Sequence, residues 1–313
     1  MAYQQQPQQQ QQQTDTVLFP LRTAFYLGNY AAAITEGVKL AGKAQLDLAR
    51  AIEAKTLVYR AYIAQKKYNL VIGELGDANA PVELRAVAAL ATFLKSERDQ
   101  EAALTQVRSL AGGALSAANP FVAFIAAIMI FHQGGYDEVL KLLHNSTHLE
   151  SIALCAQAYL RLDLVERAKK ELKRMQEIDD DSTLTQLTNA WVNLAVGGDK
   201  YQEAYFIFQE MAEKYSPTVA LLNGQAVCHL HQGRLEEAES LLQEALSKDS
   251  SDPDTIANLV TVSIHQNKPQ EVINRFVNQL KDEAPAHPFT RDLLAKERAF
   301  DRAAEQFAPQ VKA

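Results

Sequence analysis

Several stretches of the 313-residue chain carry residue types that could do chemistry. Gly37-Val-Lys-Leu-Ala-Gly42-Lys43-Ala44 has the glycine and lysine spacing of a phosphate-binding loop. Such a loop ends in Ser or Thr, whose hydroxyl holds magnesium, and it follows a buried strand. Ala44 stands at that place and Gly37 lies inside a helical pattern that follows Tyr30, so a helix end is expected and no nucleotide site. His144 and His148 are four apart, a spacing that could ligate zinc from one helix face. The Asn-Ser-Thr between them reads as a helix end, and no third ligand lies nearby. His229 and His231 point to different sides of a helix. Cys155 and Cys228 fall among Leu154, Ala156, Val227 and Leu230 with no basic neighbour to lower their pKa, which is the setting of inert core thiols. Two cysteines supply neither a disulfide framework nor a four-ligand zinc site. Asp179-Asp-Asp181 lacks the alternating ligands and glycine of a calcium loop, and Lys169 to Arg174 is a solvated helix face. No catalytic, cofactor or metal constellation emerges, and a non-enzyme is expected.

The elements that carry these residues follow from composition. Lys and Arg number 31 against 38 Asp and Glu, a net charge of −7 that disfavours nucleic acid or an anionic membrane surface as the main partner. Only 13 Gly and 10 Pro leave too few turn-formers for a sandwich or barrel, so helices are expected. No basic-then-apolar signal segment opens the chain. The most apolar run, Phe121 to Phe131, is 11 residues where a bilayer span needs about 20, and it reads as a buried helix. Residues 4–13 are Gln except for Pro7, and 1–14 are expected to be a disordered polar tail.

An internal repeat organises the rest. Leu230-His-Gln-Gly-Arg-Leu-Glu-Glu-Ala238 returns as Ile264-His-Gln-Asn-Lys-Pro-Gln-Glu-Val272, 34 residues on, and Phe131 to Val139 has the same form. Marking the small residue after each turn gives Ala33, Val71, Ala102, Val139, Ala168, Ala204, Ala238 and Val272, at a mean step near the 34 residues of a tetratricopeptide repeat. Larger apolar residues follow at four and seven positions, as at Leu242 and Ala245 after Ala238, which is one helix face. The fold class expected is all-α: a tetratricopeptide-like α-solenoid, a right-handed superhelix of helix pairs, over 15–288. After Pro285 and Pro288, Leu293, Phe300 and Phe307 recur every seven residues between charges. That stripe is read as a capping helix in 289–313, with one face on the last repeat.

In such a solenoid the first helix of each repeat lines a concave face, through positions 2, 5, 9, 12 and 13 when the small residue is position 20. Repeat three then offers Leu84 and Val87, repeat four Phe121, Phe124, Ile128 and Phe131, repeat five Gln157, and repeat six Asn189 and Asn193. The middle of the groove is apolar, which fits a hydrophobic protein partner gripped through desolvated anchors. The other reading is that repeat four is buried by its neighbours and the groove is ordinary. A clamp for peptide carboxylates would need Lys and Asn at positions 5, 9 and 13. Asn189 and Asn193 fit two of these, but Gly197 holds the third and no groove Lys accompanies them.

Leu18-Phe-Pro-Leu-Arg-Thr-Ala-Phe-Tyr-Leu-Gly-Asn-Tyr, Asn119-Pro, Ala190-Trp-Val-Asn-Leu-Ala195, Glu203-Ala-Tyr-Phe-Ile-Phe-Gln-Glu210 and Phe300-Asp-Arg-Ala-Ala closely resemble the epsilon subunit family of coatomer, over residues 17 to about 307. The resemblance implies a non-enzymatic subunit of the COPI vesicle coat that binds and stabilises the C-terminal domain of the alpha subunit, with the remaining subunits reached indirectly. It implies Golgi-to-ER retrograde and intra-Golgi transport, and peripheral association with the cytoplasmic side of Golgi membranes and COPI-coated vesicles. A generic tetratricopeptide adaptor or co-chaperone for short peptides is the alternative. An enzyme would instead depend on His229 or Cys228.

Overall fold

A computed structural model describes residues 17–41, 46–77, 79–111 and 119–307, which form helices and no strand. The Gln-rich stretch and the Gly42-Lys-Ala end of the loop-like motif lie outside those residues. The helices pair as the period requires. Repeat one is α1 (17–26) and α2 (Tyr30–Ala41), and repeat two is α3 (Leu48–Ala64) and α4 (Tyr68–Leu75). Repeat three is α5 (Val82–Lys95) and α6 (Gln100–Leu110), joined through a 3-10 turn at Glu97–Asp99. Repeats four and five are α7 (Pro120–His132) with α8 (Tyr136–Leu143), and α9 (Leu149–Arg161) with α10 (Val165–Asp179). Then follow α11 (Thr183–Val196) and α12 (Lys200–Tyr215), α13 (Val219–His231) and α14 (Leu235–Lys248), and α15 (Pro253–His265) and α16 (Gln270–Glu283). Beyond the eighth repeat lies α17 (Pro288–Phe307). This is an all-α, tetratricopeptide-like solenoid fold.

Local chemistry sets the boundaries. The Asn119 side chain accepts from the Phe121 amide and Pro120 occupies the first turn, so α7 starts there. Asp47, Thr218 and Asp252 cap α3, α13 and α15 in the same way. The hairpin turns need a left-handed residue, supplied by Gly28, Gly134 and Gly233 at φ of 80°, 81° and 74°. Lys66, Asp163 and Asn267 take that conformation in their own repeats, which is why the sequence signature of the turn is uneven. Gly37, which stood in the phosphate-loop motif, serves packing: a Cβ there would sit 2.0 Å from Val58 Cγ2 on α3.

The described residues divide into two compact lobes, with the boundary between Lys200 and Tyr201. In the first, Ile63, Val87, Phe93, Val107, Ile125, Met129 and Val139 anchor a core shared by α3 to α9. In the second, Ala226, Leu242, Ile256, Leu259 and Phe276 do so for α13 to α16. Six of the eight small marker residues sit at helix crossings: Ala33, Val71, Val139, Ala168, Ala204 and Ala238 are all fully buried. Two are displaced by one. Ala103 and Ile273 are buried, whereas Ala102 is exposed and Val272 half-buried.

The C-terminal helix differs from its expected role. Its first turn packs, with Thr290 buried and Phe289 against the second-lobe core. Farther on, Phe300 and Phe307 of the predicted stripe are 73% and 61% exposed. From Ala295 to Phe307 every residue of the helix is exposed. Lys281 of α16 reaches Glu297 at 2.8 Å and is the outermost tie between the two helices.

Candidate functional site: an apolar pocket on the inner face of the first lobe

First helices α1, α3, α7, α9 and α11 of the first lobe contribute to a pocket of about 360 Å³. Its walls are Phe25, Phe124, Ile128, Phe131, Ala153, Leu154 and Leu184, with Tyr26, Arg60, His132, Glu150 and Gln157 adding polar atoms. All of these except Leu154 and Leu184 fall on the repeat's concave positions when counted from the buried small residue of their own repeat. The pocket therefore lies on the inner face of the first lobe, lined by repeats one, two, four and five and by Leu184 of repeat six.

Helices far apart in sequence are tied across it. Arg60 on α3 and Glu150 in the first turn of α9 form a two-point ion pair, Nη2 to Oε1 at 2.8 Å and Nη1 to Oε2 at 3.1 Å. Their side chains are only 10% and 8% exposed. The guanidinium carbon lies 4.7 Å from the centre of the Phe25 ring and 5.3 Å from that of Phe124. Burial alone pulls the Arg60 pKa down and pushes the Glu150 pKa up. The mutual attraction outweighs it, leaving Arg60 above and Glu150 below their ordinary values. The Tyr26 hydroxyl donates to Glu150, and burial followed by that carboxylate pushes its pKa well above 10. Beside the pair, Arg22 donates to Glu53 at 2.7 Å, and the Thr23 and Thr183 hydroxyls meet at 3.2 Å, tying α1 to α3 and to α11.

Of the residues expected in the groove, Phe124, Ile128, Phe131 and Gln157 come together here. Ile128, Phe131 and Gln157 are half-buried, and the Gln157 amide has no hydrogen-bond partner among the described residues. Phe124 is 4% exposed, so it forms the floor of the pocket and is not an open anchor. Phe121 packs on it with ring centres 6.3 Å apart, outside the pocket lining. Leu84 and Val87 are corrected: they are 6% and 0% exposed and belong to the core. Counting from Ala102 instead of Ala103 turned α5 by one residue, about 100°, and brought its core face round to the groove. Asn189 is half-buried and Asn193 is 8% exposed, and neither reaches the pocket. Phe25, Tyr26, Arg60 and Glu150 extend the expected set. The same positional count, carried into repeats one and two, lands on Phe25, Tyr26 and Arg60, and in repeat five on Glu150.

The remaining chemistry-bearing residues are dispersed. His144 ends α8 and His148 precedes α9, so they do not share a helix face. His229 packs on Tyr205 and His231 stacks on Tyr201, each pointing its own way. Both thiols are buried, and burial pushes each up to about 12. Among the described residues no group of three or more His, Cys, Asp or Glu could hold a metal ion, and no helix is long and apolar enough to cross a membrane.

Known proteins place this architecture. The sequence model of the family described as "Coatomer epsilon subunit" matches residues 14–308. Coatomer subunit epsilon-1 of Arabidopsis thaliana is 43% identical over 93% of this chain and 97% of its own length. Coatomer subunit epsilon of Dictyostelium discoideum is 36% identical over 94% of this chain and 99% of its own. Among solved structures, a tetratricopeptide repeat protein from Parabacteroides merdae superposes with a TM-score of 0.57 at 13% identity, covering 91% of this chain and 98% of that one. The Cut9–Hcn1 tetramer of APC/C gives 0.60 at 14% identity over 91% of this chain and 54% of that one. At such identities these structures speak to the fold alone. The chain belongs to the coatomer epsilon subunit family, as a non-enzymatic subunit of that coat on a tetratricopeptide-like solenoid.

Proposed function

We propose that this coat subunit binds and stabilises the C-terminal domain of the alpha coatomer subunit through the inner face of its first lobe. It reaches the other subunits through alpha, and serves Golgi-to-ER retrograde and intra-Golgi transport as a peripheral component on the cytoplasmic side of Golgi membranes and COPI-coated vesicles. The observation that supports this reading is the pocket itself. It combines two half-buried apolar side chains, Ile128 and Phe131, and the half-buried amide of Gln157 with a floor supplied by Phe124. Large apolar anchors in a desolvated concavity are what binding hot spots are made of. An unpaired amide at the rim suits the backbone of a bound segment.

The alternative adaptor reading has less support, because Asn193 is buried and Gly197 occupies the third clamp position. The test is direct titration of the full chain with the alpha C-terminal domain. A defined complex is expected. Phe131→Ala should weaken it by about 2 kcal/mol, roughly 30-fold. Absence of a complex, with capture of short peptides through their terminal carboxylate, would replace this reading with the adaptor one.

A further inference from the structure

In a series of helix pairs each repeat packs on its neighbours. Repeats two and five are not consecutive in that series, yet Arg60 and Glu150 join them across the hollow, 90 positions apart in sequence. A buried ion pair is a poor source of stability, since stripping two charges of water costs about as much as their attraction returns. What the pair fixes here is geometry. The guanidinium fork fixes the carboxylate in one plane at two contacts, and its faces fix whatever stacks on them. Here those faces carry Phe25 and Phe124, and the carboxylate also holds the Tyr26 hydroxyl. All three aromatic side chains line the pocket.

We infer that the Arg60–Glu150 pair is the positioning element of the binding groove: it holds Phe25, Tyr26 and Phe124 apart and in register, so that the pocket stands open for a large apolar side chain of the partner. The inference rests on the proposed binding of the alpha C-terminal domain by this face. Neither residue is an anchor. The pair acts through the rings it holds, and it makes the pocket selective. A charged side chain entering beside it finds both charges already matched and gains no counter-ion to offset its own desolvation. An apolar one packs on the rings of Phe25, Phe124 and Phe131 and on the aliphatic walls of Ile128, Ala153, Leu154 and Leu184.

The test compares four full-length proteins: the parent, Arg60→Met with Glu150→Leu together, Arg60→Lys, and Phe131→Ala. Each is melted and titrated with the alpha C-terminal domain. The double replacement keeps the volume apolar, so its melting temperature should match or exceed that of the parent, while its affinity falls 10-fold or more. Arg60→Lys keeps the charge and loses the fork and the flat faces, so it too should fold and bind several-fold more weakly. Parent-like affinity in either variant overturns the positioning role. So does a double replacement that melts well below the parent or fails to fold, since the pair would then be a requirement of the fold. Failure of the groove reading looks different: the parent forms no complex, or Phe131→Ala binds as the parent does. Weakened binding by Phe131→Ala beside full binding by the double replacement removes the pair's role and leaves the groove intact.

Discussion

Phe124 and Phe131 stand on the same helix, α7, and line the same pocket, yet truncating them should do different things. Phe124 is 4% exposed, and its ring touches Phe121, His148 and the Arg60 guanidinium. Phe124→Ala removes a core ring and leaves a cavity beneath the ion pair, which costs about 3–5 kcal/mol of stability. A body of some 200 residues loses about 2–4 °C per kcal/mol, so the first lobe should melt roughly 6–20 °C earlier. Phe131 is half-buried and rests edge-on against Tyr136, with ring centres 5.1 Å apart. Its truncation should shift melting by a few degrees at most and appear instead in affinity. The assay has a built-in reporter, since the one tryptophan, Trp191 on α11, lies in the first lobe. Its emission follows that lobe while circular dichroism follows the whole chain. A Phe124→Ala protein that melts with the parent by Trp191 emission would refute the assignment of that ring to the floor.

Three further outcomes follow from the geometry. Gly37→Ala pushes a methyl to 2.0 Å from Val58 Cγ2 and should cost about 1–3 kcal/mol in a thermal melt, with an unchanged curve refuting the close approach of α2 and α3. Glu150 is held below its ordinary value, about 4.5, so its stabilisation is complete above that pH and lost as pH falls through the folded value. The melting gap between parent and Glu150→Gln should therefore be widest near neutral pH and shrink below about pH 4.5, and a gap that grows on acidification would contradict the pairing. Ending the chain at Leu294 removes the exposed Phe300 and Phe307 and should leave melting unchanged, whereas ending it before Phe289 strips the second-lobe core and should lower it.

Much of this was legible in the sequence because a repeat states the same requirement many times. A small residue must sit where two helices cross closely, and eight recurrences of it defined the pairs, the period and the inner face. The errors arose where the requirement was ambiguous. Ala102-Ala103 and Val272-Ile273 each offer two adjacent candidates, and the period alone does not choose between them. In repeat three that ambiguity exchanged core for groove and brought Leu84 and Val87 to the wrong face. The heptad-spaced stripe of α17 misled for a different reason. Amphipathicity shows that a face is apolar, and the burial of that face depends on whether anything lies beside it.

The ion pair marks the limit of periodic reasoning. Counting positions places Arg60 and Glu150 on the inner surface of their own repeats, as it does Arg22 and Glu53. Which arginine meets which glutamate depends on how strongly successive repeats curve, and small rotations accumulate over the intervening helices. Repeat steps that vary on either side of the mean give no regular curvature from which to compute the meeting point. Arg22 finds Glu53 in the next repeat, while Arg60 reaches three repeats on to Glu150. Two arginines at equivalent concave positions thus have partners set by the shape of the lobe, and the longer reach is the one that brings aromatic rings from two helices, α1 and α7, around a single pocket.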